Sequence, residues 1–460
     1  MSQSASPSFS SLNLHPSLLL AIKELGFIRP TGIQADAIPP ALAGRDLLAC
    51  AQTGSGKTAS FLLPILQRLI DKPRGVTRAL VLVPTRELAA QVKEDLRDLS
   101  VHTPVSGAAV FGGVGHGPQE HAFRSGVDIL IATPGRLLDH LRSPYAKLDK
   151  LEVLVLDEAD RMLDMGFLPD IKRILRHIPQ KRQTLFFSAT MPTEIGRLAA
   201  DLLKNPATIA LQRQAAPAAG ITQAAYPVPQ PLKAALLVEL LKRGLMTQAL
   251  VFTRTKHRAN KLAEHLSQSQ ISTERIHGNR SQSQRTQALA GFKSGRYKVL
   301  VATDIAARGI DVEALSHVIN FDVPAAPEDY IHRVGRTGRA DLTGEAFTFV
   351  APDEESDLRA IERAVSKTLP RVTLPDFDYK ASAPQLEVPL AQRIAEIRKR
   401  KALERERAKA NAARRGGGHA AGGHAPARPA GHARPHPGGP GRSAGGPSSG
   451  RFRPRRGTSR

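Results

Sequence analysis

The stretch AQTGSGKT, residues 51–58, follows a short apolar run and precedes a segment with helical periodicity. Gly54 and Gly56 would let backbone N–H groups wrap phosphate oxygens at the start of that helix. Lys57 would reach the terminal phosphates of a nucleotide, and the Thr58 hydroxyl would help to hold Mg²⁺. The stretch therefore predicts a phosphate-binding loop. The predicted nucleotide contacts in it also include Ala51, Gln52, Thr53 and Ser55.

A loop of this kind needs a carboxylate on a neighbouring strand to hold the metal. The run LEVLVLDEAD, residues 151–160, supplies Asp157 and Glu158 where an apolar stretch ends. Asp157 would hold Mg²⁺ together with Thr58, and Glu158 would position and activate an attacking water. Acidic residues also favour the start of a helix, which is compatible with this role.

Apolar runs without polar alternation recur along both halves of the chain, and a segment with helical periodicity follows each. Such runs are typical of parallel strands buried on both faces, whose ligands bind outside the carboxyl ends of the strands. The sequence therefore predicts two α/β domains in series. The runs cover residues 47–51, 79–85, 129–134, 153–160 and 184–190 in the first half, and 249–255, 274–278, 298–304, 317–322 and 345–352 in the second.

Residues 205–229 lose this pattern and are rich in Ala, Pro and Gln, which indicates a linker. Residues 381–460 hold 18 Lys and Arg against 4 Asp and Glu, so +14 of the chain's formal charge of +23 lies there. A tail of this composition cannot bury a core, so we expect it to be disordered and to bind a polyanion. The predicted divisions are a first domain at 1–208, a linker at 209–229, a second domain at 230–372 and a basic tail at 373–460.

The bulk composition is that of a globular protein, with 41% hydrophobic and 23% charged residues. The single cysteine, Cys50, cannot form an internal disulfide, which fits a reducing compartment. No apolar run approaches bilayer length, and no basic region precedes the short apolar stretch near the N-terminus. We expect a cytoplasmic protein that does not enter a membrane.

The tetrapeptide DEAD at residues 157–160, with AQTGSGKT upstream and HRVGRTGR (332–339) downstream, resembles the DEAD-box RNA helicases. The resemblance runs from Phe9 to about residue 370, and the motifs fall in family order. It implies two tandem RecA-like α/β domains with parallel sheets. It also implies ATP and Mg²⁺ as cofactors, RNA as partner and RNA-stimulated hydrolysis of ATP.

The resemblance assigns further nucleotide contacts. In GFIRPTGIQ (26–34), Gln34 would read the adenine edge and Phe9 would stack on the base, although Gly32 stands where the family more often has Pro or Ala. Asp311 would contact the ribose. The predicted catalytic residues are Lys57, Asp157, Glu158, Arg336 and Arg339.

The two arginines of that set, Arg336 and Arg339, match family positions that reach the γ-phosphate across the cleft between the domains. An arginine finger raises the rate of phosphoryl transfer by about 10³–10⁵. Hydrolysis would then require the two domains to be closed. Arg333, in the same motif, would be structural or part of the coupling network.

The motifs PTRELA (84–89), GG (112–113) and TPGR (133–136) resemble the family's RNA-backbone motifs in the first domain. HGNRSQSQR (277–285) and ATDIAARGID (302–311) complete the set in the second, with Asn279 where the family usually has Asp. Phosphate contacts fix register without reading bases, so we expect little sequence specificity. The predicted RNA contacts are Pro84, Thr85, Arg86, Gly113, Thr133, Arg136, Gly278 and Thr303, and the predicted coupling residues are Asp160, Ser188, Thr190 and His332.

The resemblance implies local, non-processive unwinding or remodelling of RNA duplexes and RNA–protein complexes through ATP-driven domain closure. LDMGF (163–167) and the Arg/Gly-rich end resemble bacterial RhlE-type members, which implicates ribosomal RNA and proteins of ribosome assembly or RNA decay. Three alternatives stay open. They are a DNA helicase on the same two domains, an ATP-gated RNA clamp or annealing chaperone, and a P-loop kinase or GTPase, which leaves the second α/β domain without a role.

Overall fold

The computed structural model of the chain describes residues 8–51, 54–210, 220–307, 315–338 and 343–381. The predicted basic tail falls outside these ranges from residue 382 onward. No helix within them is both long enough and apolar enough to cross a bilayer.

The first half folds as a parallel sheet with the strand order β3-β4-β2-β5-β6-β1-β7. Its strands are β1 (Leu47–Cys50), β2 (Ala79–Leu82), β3 (Gly107–Val110), β4 (Ile129–Ala132), β5 (Val153–Leu156), β6 (Gln183–Ser188) and β7 (Ala207–Ala210). Its helices are α1 (Pro16–Glu24), α2 (Gly32–Leu42), α3 (Lys57–Leu69), α4 (Arg86–Leu99), α5 (His116–Ser125), α6 (Pro134–Leu141), α7 (Ala159–Asp164), α8 (Leu168–Ile174) and α9 (Thr193–Leu202), with 3₁₀ turns at Phe9–Leu12 and Leu175–His177.

The second half forms another parallel sheet, with the strand order β10-β11-β9-β12-β13-β8. Its strands are β8 (Ile221–Pro227), β9 (Ala249–Thr253), β10 (Thr273–Ile276), β11 (Val299–Thr303), β12 (His317–Asn320) and β13 (Gly344–Val350). Its helices are α10 (Lys233–Lys242), α11 (Lys256–Gln268), α12 (Gln282–Lys293), α13 (Asp304–Ala307), α14 (Pro327–Val334) and α15 (Glu355–Ala364), with 3₁₀ turns at Gln230–Leu232 and Pro352–Glu354.

Both faces of each sheet are covered, which explains the unbroken apolar runs. In β2, Ala79 and Val81 pack into one hydrophobic core, whereas Leu80 and Leu82 pack into the core on the opposite face. Because alternate side chains of a strand point to opposite faces, a strand between two cores must be apolar at every position. The prediction of parallel α/β domains is confirmed.

The second sheet begins inside the stretch expected to be a linker. Strand β8 starts at Ile221 and pairs in parallel with β13, with Ala225 fully buried opposite Thr348. The described second domain also continues past residue 372, since Leu374 is buried in its core. β8 lies at the end of the sheet order, and its sequence ITQAAYP lacks the unbroken apolar run from which strands were predicted.

The carboxyl ends of all the strands in a parallel sheet meet at one edge. In the first sheet this edge carries the phosphate loop after β1, Thr85 after β2, Thr133 after β4 and Asp157 after β5. The predicted site residues therefore gather where such sheets bind their ligands.

Candidate active site and nucleic-acid interface

The phosphate loop leads from β1 into α3 through two glycines in the left-handed region, Gly54 at φ 81° and Gly56 at φ 94°. A Cβ atom at Gly56 would lie 2.6 Å from Nε2 of Gln34. That amide donates to the Gly56 carbonyl at 3.2 Å, and the Thr31 hydroxyl donates to the carbonyl of Ser55 at 2.8 Å. The α2 helix thus holds the loop from one side, and glycine is required at position 56 by conformation and by space.

Lys57, the first residue of α3, is 6% exposed. Its ammonium donates to the carbonyl of Ala51 at 3.1 Å and lies 3.7 Å from the Asp157 carboxylate. Burial raises the pKa of Asp157 to about 6, against the opposing effect of the Lys57 charge. The predicted phosphate-binding lysine and metal-binding carboxylate therefore meet in one buried place.

The donors at this place suit Mg²⁺. The Asp157 carboxylate and the Thr58 hydroxyl are hard oxygen ligands. Among the residues that the structure covers, no group of three or more His, Cys, Asp or Glu side chains forms a separate metal cage. Asp157 and Thr58 are the residues that would hold Mg²⁺ here, together with phosphate and water.

Glu158 joins β5 to α7 in a left-handed conformation, with φ 53° and ψ 49°. This conformation costs a residue other than glycine roughly 1–2 kcal/mol, and the surrounding structure must impose it. Its carboxylate accepts a hydrogen bond from Nη1 of Arg161 at 2.9 Å, and the Arg161 side chain is only 2% exposed. Arg161 was not predicted to be part of the site, because an arginine after an acidic run is typical of a charged surface.

Asp160 links α7 to the end of β6. Its carboxylate accepts hydrogen bonds from the backbone N–H and the hydroxyl of Thr190, at 2.8 and 2.9 Å. The Asp160 N–H donates to the Ser188 hydroxyl, which donates in turn to the Thr190 carbonyl. Burial opposes ionisation of Asp160, but the Thr190 hydroxyl and the Lys57 charge hold its pKa below the ordinary value. Three of the predicted coupling residues form one network.

The fourth predicted coupling residue, His332, lies on α14 in the second domain and shares a small cleft with Arg161 of the first. Burial, and then the nearby charge of Arg161, lowers the pKa of His332 to about 4, so its ring is neutral at pH 7. Arg336 lines the same cleft and is 5% exposed. The structure brings a predicted catalytic arginine to the junction of the two domains.

Arg333 is buried beside the same cleft, and its hydrogen bonds stay within the second domain. Its guanidinium spans both carboxylate oxygens of Asp304, with Nη2 at 2.8 Å from one of them. Its Nη1 donates to the carbonyl of Asp322 at 2.8 Å. All of these partners lie in the second domain, so Arg333 braces α14 against its own sheet.

Predicted RNA contacts converge on the loop after β3. The Arg86 guanidinium lies so close to Gly113 that a Cβ atom there would be 2.1 Å from its Nη1. Nη2 of Arg136 donates to the carbonyl of Val114 at 3.0 Å. Thr85 caps α4 by accepting from the N–H of Leu88. Pro84 and Thr133 are buried beside these groups, at the ends of β2 and β4.

In the second domain, Gly278 and Thr303 stand at the carboxyl ends of the paired strands β10 and β11. Asn279, where the family usually has Asp, accepts a hydrogen bond from Lys256 at 3.2 Å. Nearby, Gln282 donates to Glu87 of the first domain at 3.0 Å. Arg285 lies 3.0 Å from the same carboxylate oxygen, so an ion pair joins the two domains beside the predicted RNA contacts.

Phe9 is buried, and its ring stacks on Phe27 with the centroids 6.2 Å apart. Phe27 was not predicted to take part in the site. The predicted site residues Gln52, Thr53, Asp311 and Arg339 lie outside the described residues.

Both halves of the chain match known families. Residues 31–198 match the DEAD/DEAH box helicase family, and residues 232–341 match the family described as helicase conserved C-terminal domain. The DEAD-box ATP-dependent RNA helicase CshA of Bacillus subtilis strain 168 is 42% identical over 370 residues, which cover 80% of this chain and 75% of that protein. ATP-dependent RNA helicase CshA of Listeria monocytogenes serovar 1/2a is 43% identical over 380 residues, covering 83% and 73%.

Solved structures are similar over the same region. Dbp5 of S. cerevisiae, bound to RNA and ADP BeF3, is 32% identical with a TM-score of 0.74, covering 81% of this chain and 97% of that one. Mss116 bound to ssRNA and UDP-BeF is 27% identical with a TM-score of 0.74, covering 81% of each chain. With its two parallel-sheet domains and its motifs in these positions, the chain belongs to the DEAD-box family of ATP-dependent RNA helicases.

Proposed function

We propose that the chain hydrolyses ATP in the cleft between its domains and uses the cycle to separate RNA strands locally, without processive movement. The observation that carries this proposal is the network at the domain junction. Asp160 is bonded to Thr190, Arg161 is bonded to Glu158, and His332 and Arg336 lie beside Arg161. The groups that would take part in hydrolysis are therefore also groups at the contact between the two domains.

On this proposal, Lys57 binds the terminal phosphates and Gln34 and Phe9 bind the adenine, while Thr58 and Asp157 hold Mg²⁺. The ion, when bound, would neutralise phosphate charge and so favour transfer of the phosphoryl group. Lys57 is held in place by the Ala51 carbonyl. That contact orders the Lys57 side chain, which limits the side-chain entropy lost when phosphate binds.

Glu158 would accept a proton from the attacking water, with its carboxylate oriented by Arg161. Arg336 would place a positive charge on the transferring phosphoryl group from the second domain. Because these groups come from different domains, hydrolysis is fast only when the domains are closed. Arg339 would contact the γ-phosphate, and Asp311 would contact the ribose.

RNA would bind across the domains through its phosphates, on Arg86, Gly113 and Arg136 of the first domain and on Gly278 and Thr303 of the second. Guanidinium groups and loop N–H groups contact phosphates regardless of base, so binding should depend little on sequence. The Glu87–Arg285 ion pair lies beside this surface and forms only when the domains meet. RNA and ATP would thus favour the same closed state.

We further propose a cytoplasmic protein that acts on ribosomal RNA, in ribosome assembly or RNA decay. The support is the RhlE-like LDMGF segment and the Arg/Gly-rich end. The curated relatives described above carry the name CshA, and the RhlE-type assignment stays a hypothesis.

ATP turnover by the full chain tests the proposal, measured alone, with single-stranded RNA and with DNA of matched sequence. We expect stimulation by RNA that disappears in Glu158→Gln, because that change removes the proton acceptor but keeps the size of the side chain. RNA binding without stimulated turnover would favour a clamp or annealing chaperone. Equal stimulation by DNA would reject the RNA preference.

A further inference from the structure

The loop between β3 and α5, residues 111–115, is held at both ends by one side chain. Nε2 of Gln119 donates to the carbonyl of Phe111 at 3.1 Å and to the carbonyl of Gly115 at 3.2 Å. Gln119 lies on α5 and is 5% exposed. Residues 111–115 are called the glycine loop below. Its conformation depends on an amide outside the loop itself.

Two N–H groups of the glycine loop have no acceptor among the described residues. Within the described ranges, the amides of Gly112 and Gly113 donate to no protein group. The Arg86 guanidinium lies against both glycines, and an added Cβ would be 3.1 Å from it at Gly112 and 2.1 Å at Gly113. Two unused N–H donors beside a guanidinium suit the oxygens of one phosphate group.

A buried histidine supports Gln119 from behind. His140 is fully buried, with Nε2 3.4 Å from Oε1 of Gln119 and Nδ1 2.8 Å from the hydroxyl of Tyr145. Because the Gln119 amide nitrogen already donates to two carbonyls, its oxygen is the acceptor and His140 carries its proton on Nε2. Burial, and then the charge of His116, lowers the pKa of His140, which keeps the ring in this neutral form.

We propose that Gln119, supported by His140, is a positioning residue for RNA: it holds the glycine loop in the shape that presents two N–H groups and Arg86 to one phosphate. The inference rests on the proposed function, in which this loop binds RNA. Gln119 does not touch RNA. It fixes the loop carbonyls so that the loop amides stay available, and phosphate binding then needs no reordering of the loop.

The test is Gln119→Glu in the full chain. The substitution keeps the size of the side chain but turns two donors into an acceptor facing two carbonyl oxygens. Gln183→Glu is a matched control in the same domain, because Gln183 is 7% exposed and its amide also donates to two carbonyls, those of Ala41 and Arg45. Gln183 begins β6, at the edge of the sheet opposite the strand ends that form the site.

We would measure the Kd for a fluorescent single-stranded RNA, with and without a non-hydrolysable ATP analogue. We expect Gln119→Glu to raise the Kd in the presence of the analogue about tenfold, equivalent to about 1.4 kcal/mol, with the half-saturating ATP concentration unchanged. Gln183→Glu should leave the RNA Kd within about twofold of the original, although both variants lose two hydrogen bonds of ordinary strength.

An RNA Kd in Gln119→Glu that equals the original value, or one that rises equally in both variants, would overturn the inference. If Gln119→Glu does not fold, His140→Phe replaces it, since a ring there can still pack on Phe123 while the contact to Gln119 is lost. We expect a rise of about threefold in that variant, because the Gln119 amide is retained; no rise would overturn the proposal. RNA-stimulated turnover is a separate readout, so its absence would contradict the proposed function and not this inference.

Discussion

Glu158 and Arg161 form a hydrogen-bonded ion pair in which the two side chains are 4% and 2% exposed. Charges so deeply buried are stable only when they are paired, and removing one partner costs about 3–5 kcal/mol. Here the arrangement fixes the carboxylate that we assign to proton transfer. We therefore regard Arg161 as the residue that orients Glu158.

Arg161→Met should lower kcat for RNA-stimulated hydrolysis by at least about tenfold with little change in KM for ATP, because it frees the carboxylate without touching the phosphate loop. Arg161→Lys should recover part of the loss. The measurement is steady-state turnover. Lys233→Met is a suitable control, since it also breaks a fully buried ion pair, with Glu354, in the second domain. Equal losses of kcat in both methionine variants would mean that Arg161 serves stability alone.

Gly56 lies in the phosphate loop, where the Gln34 side chain occupies the space that a Cβ atom would need. Gly56→Ala should weaken ATP binding by at least about tenfold, because the new Cβ would meet the Gln34 amide at 2.6 Å at a positive φ. Gly75→Ala is the matched control: Gly75 has φ 92°, but nothing lies within 4 Å of its Cβ position. Both changes place a Cβ atom on a residue with a similar positive φ. Titration with a fluorescent ATP analogue distinguishes them, and similar affinities for the two variants would refute the contact.

The sequence predicts the residues whose type and spacing carry the chemistry, such as Lys57 in its glycine-flanked loop and Asp157 at the end of an apolar run. It does not predict Arg161 or Gln119. Both side chains matter because they are buried and bonded to partners a few residues away. Arg and Gln are usually found on the surface, so their presence in a sequence indicates neither burial nor such partners. Hydrogen bonds to backbone carbonyls leave no pattern in a sequence.

Some strands could be predicted from the sequence and others could not. The strands that the sequence analysis missed, β3, β7 and β8, all lie at sheet edges. An edge strand pairs on one side only and is less buried, so it can be built from sequences such as GAAV or ITQAAYP. The strands with neighbours on both sides were predicted, and so was one edge strand, β10. Burial, rather than strand propensity, is what the pattern records.

At the contact between α14 and α7, His332 gives a pH dependence with a defined sign. Its pKa is about 4 in the folded protein, against an ordinary value of 6.5. Between about pH 4 and pH 6.5, His332 is therefore protonated in the unfolded chain but largely neutral in the folded chain. Stability is fully present above pH 6.5 and is lost as the pH falls toward 4, by about 2 kcal/mol at pH 5.

His332→Gln should abolish this contribution, because glutamine does not titrate. Denaturant unfolding of the original protein and the variant at about pH 7 and about pH 5 measures it, and the difference between the two proteins cancels the other titrating groups. We expect the original protein to lose about 2 kcal/mol more than the variant on acidification. Parallel losses would mean that the His332 ring is accessible to protons in the folded state.

For the whole molecule, +14 of the formal charge of +23 lies in residues 386–460. Removing residues 386–460 should flatten the plot of log Kd for RNA against log salt, because each lost phosphate contact changes the slope by about 0.7. A full-length variant with Ser at every Lys and Arg of that segment controls for chain length and should behave like the truncation. An unchanged slope in both would show that the core makes all the phosphate contacts.

We propose that closure of the two domains around ATP and RNA separates RNA strands locally. Displacement of a labelled strand from a short RNA duplex, and from one about three times as long, tests this proposal, because the free energy of strand separation grows with every base-pair step. We expect ATP-dependent displacement of the short duplex, little from the long one, and none with Glu158→Gln. Equal rates for both lengths would contradict local separation, and displacement by Glu158→Gln at the original steady-state rate would contradict a hydrolysis-driven cycle.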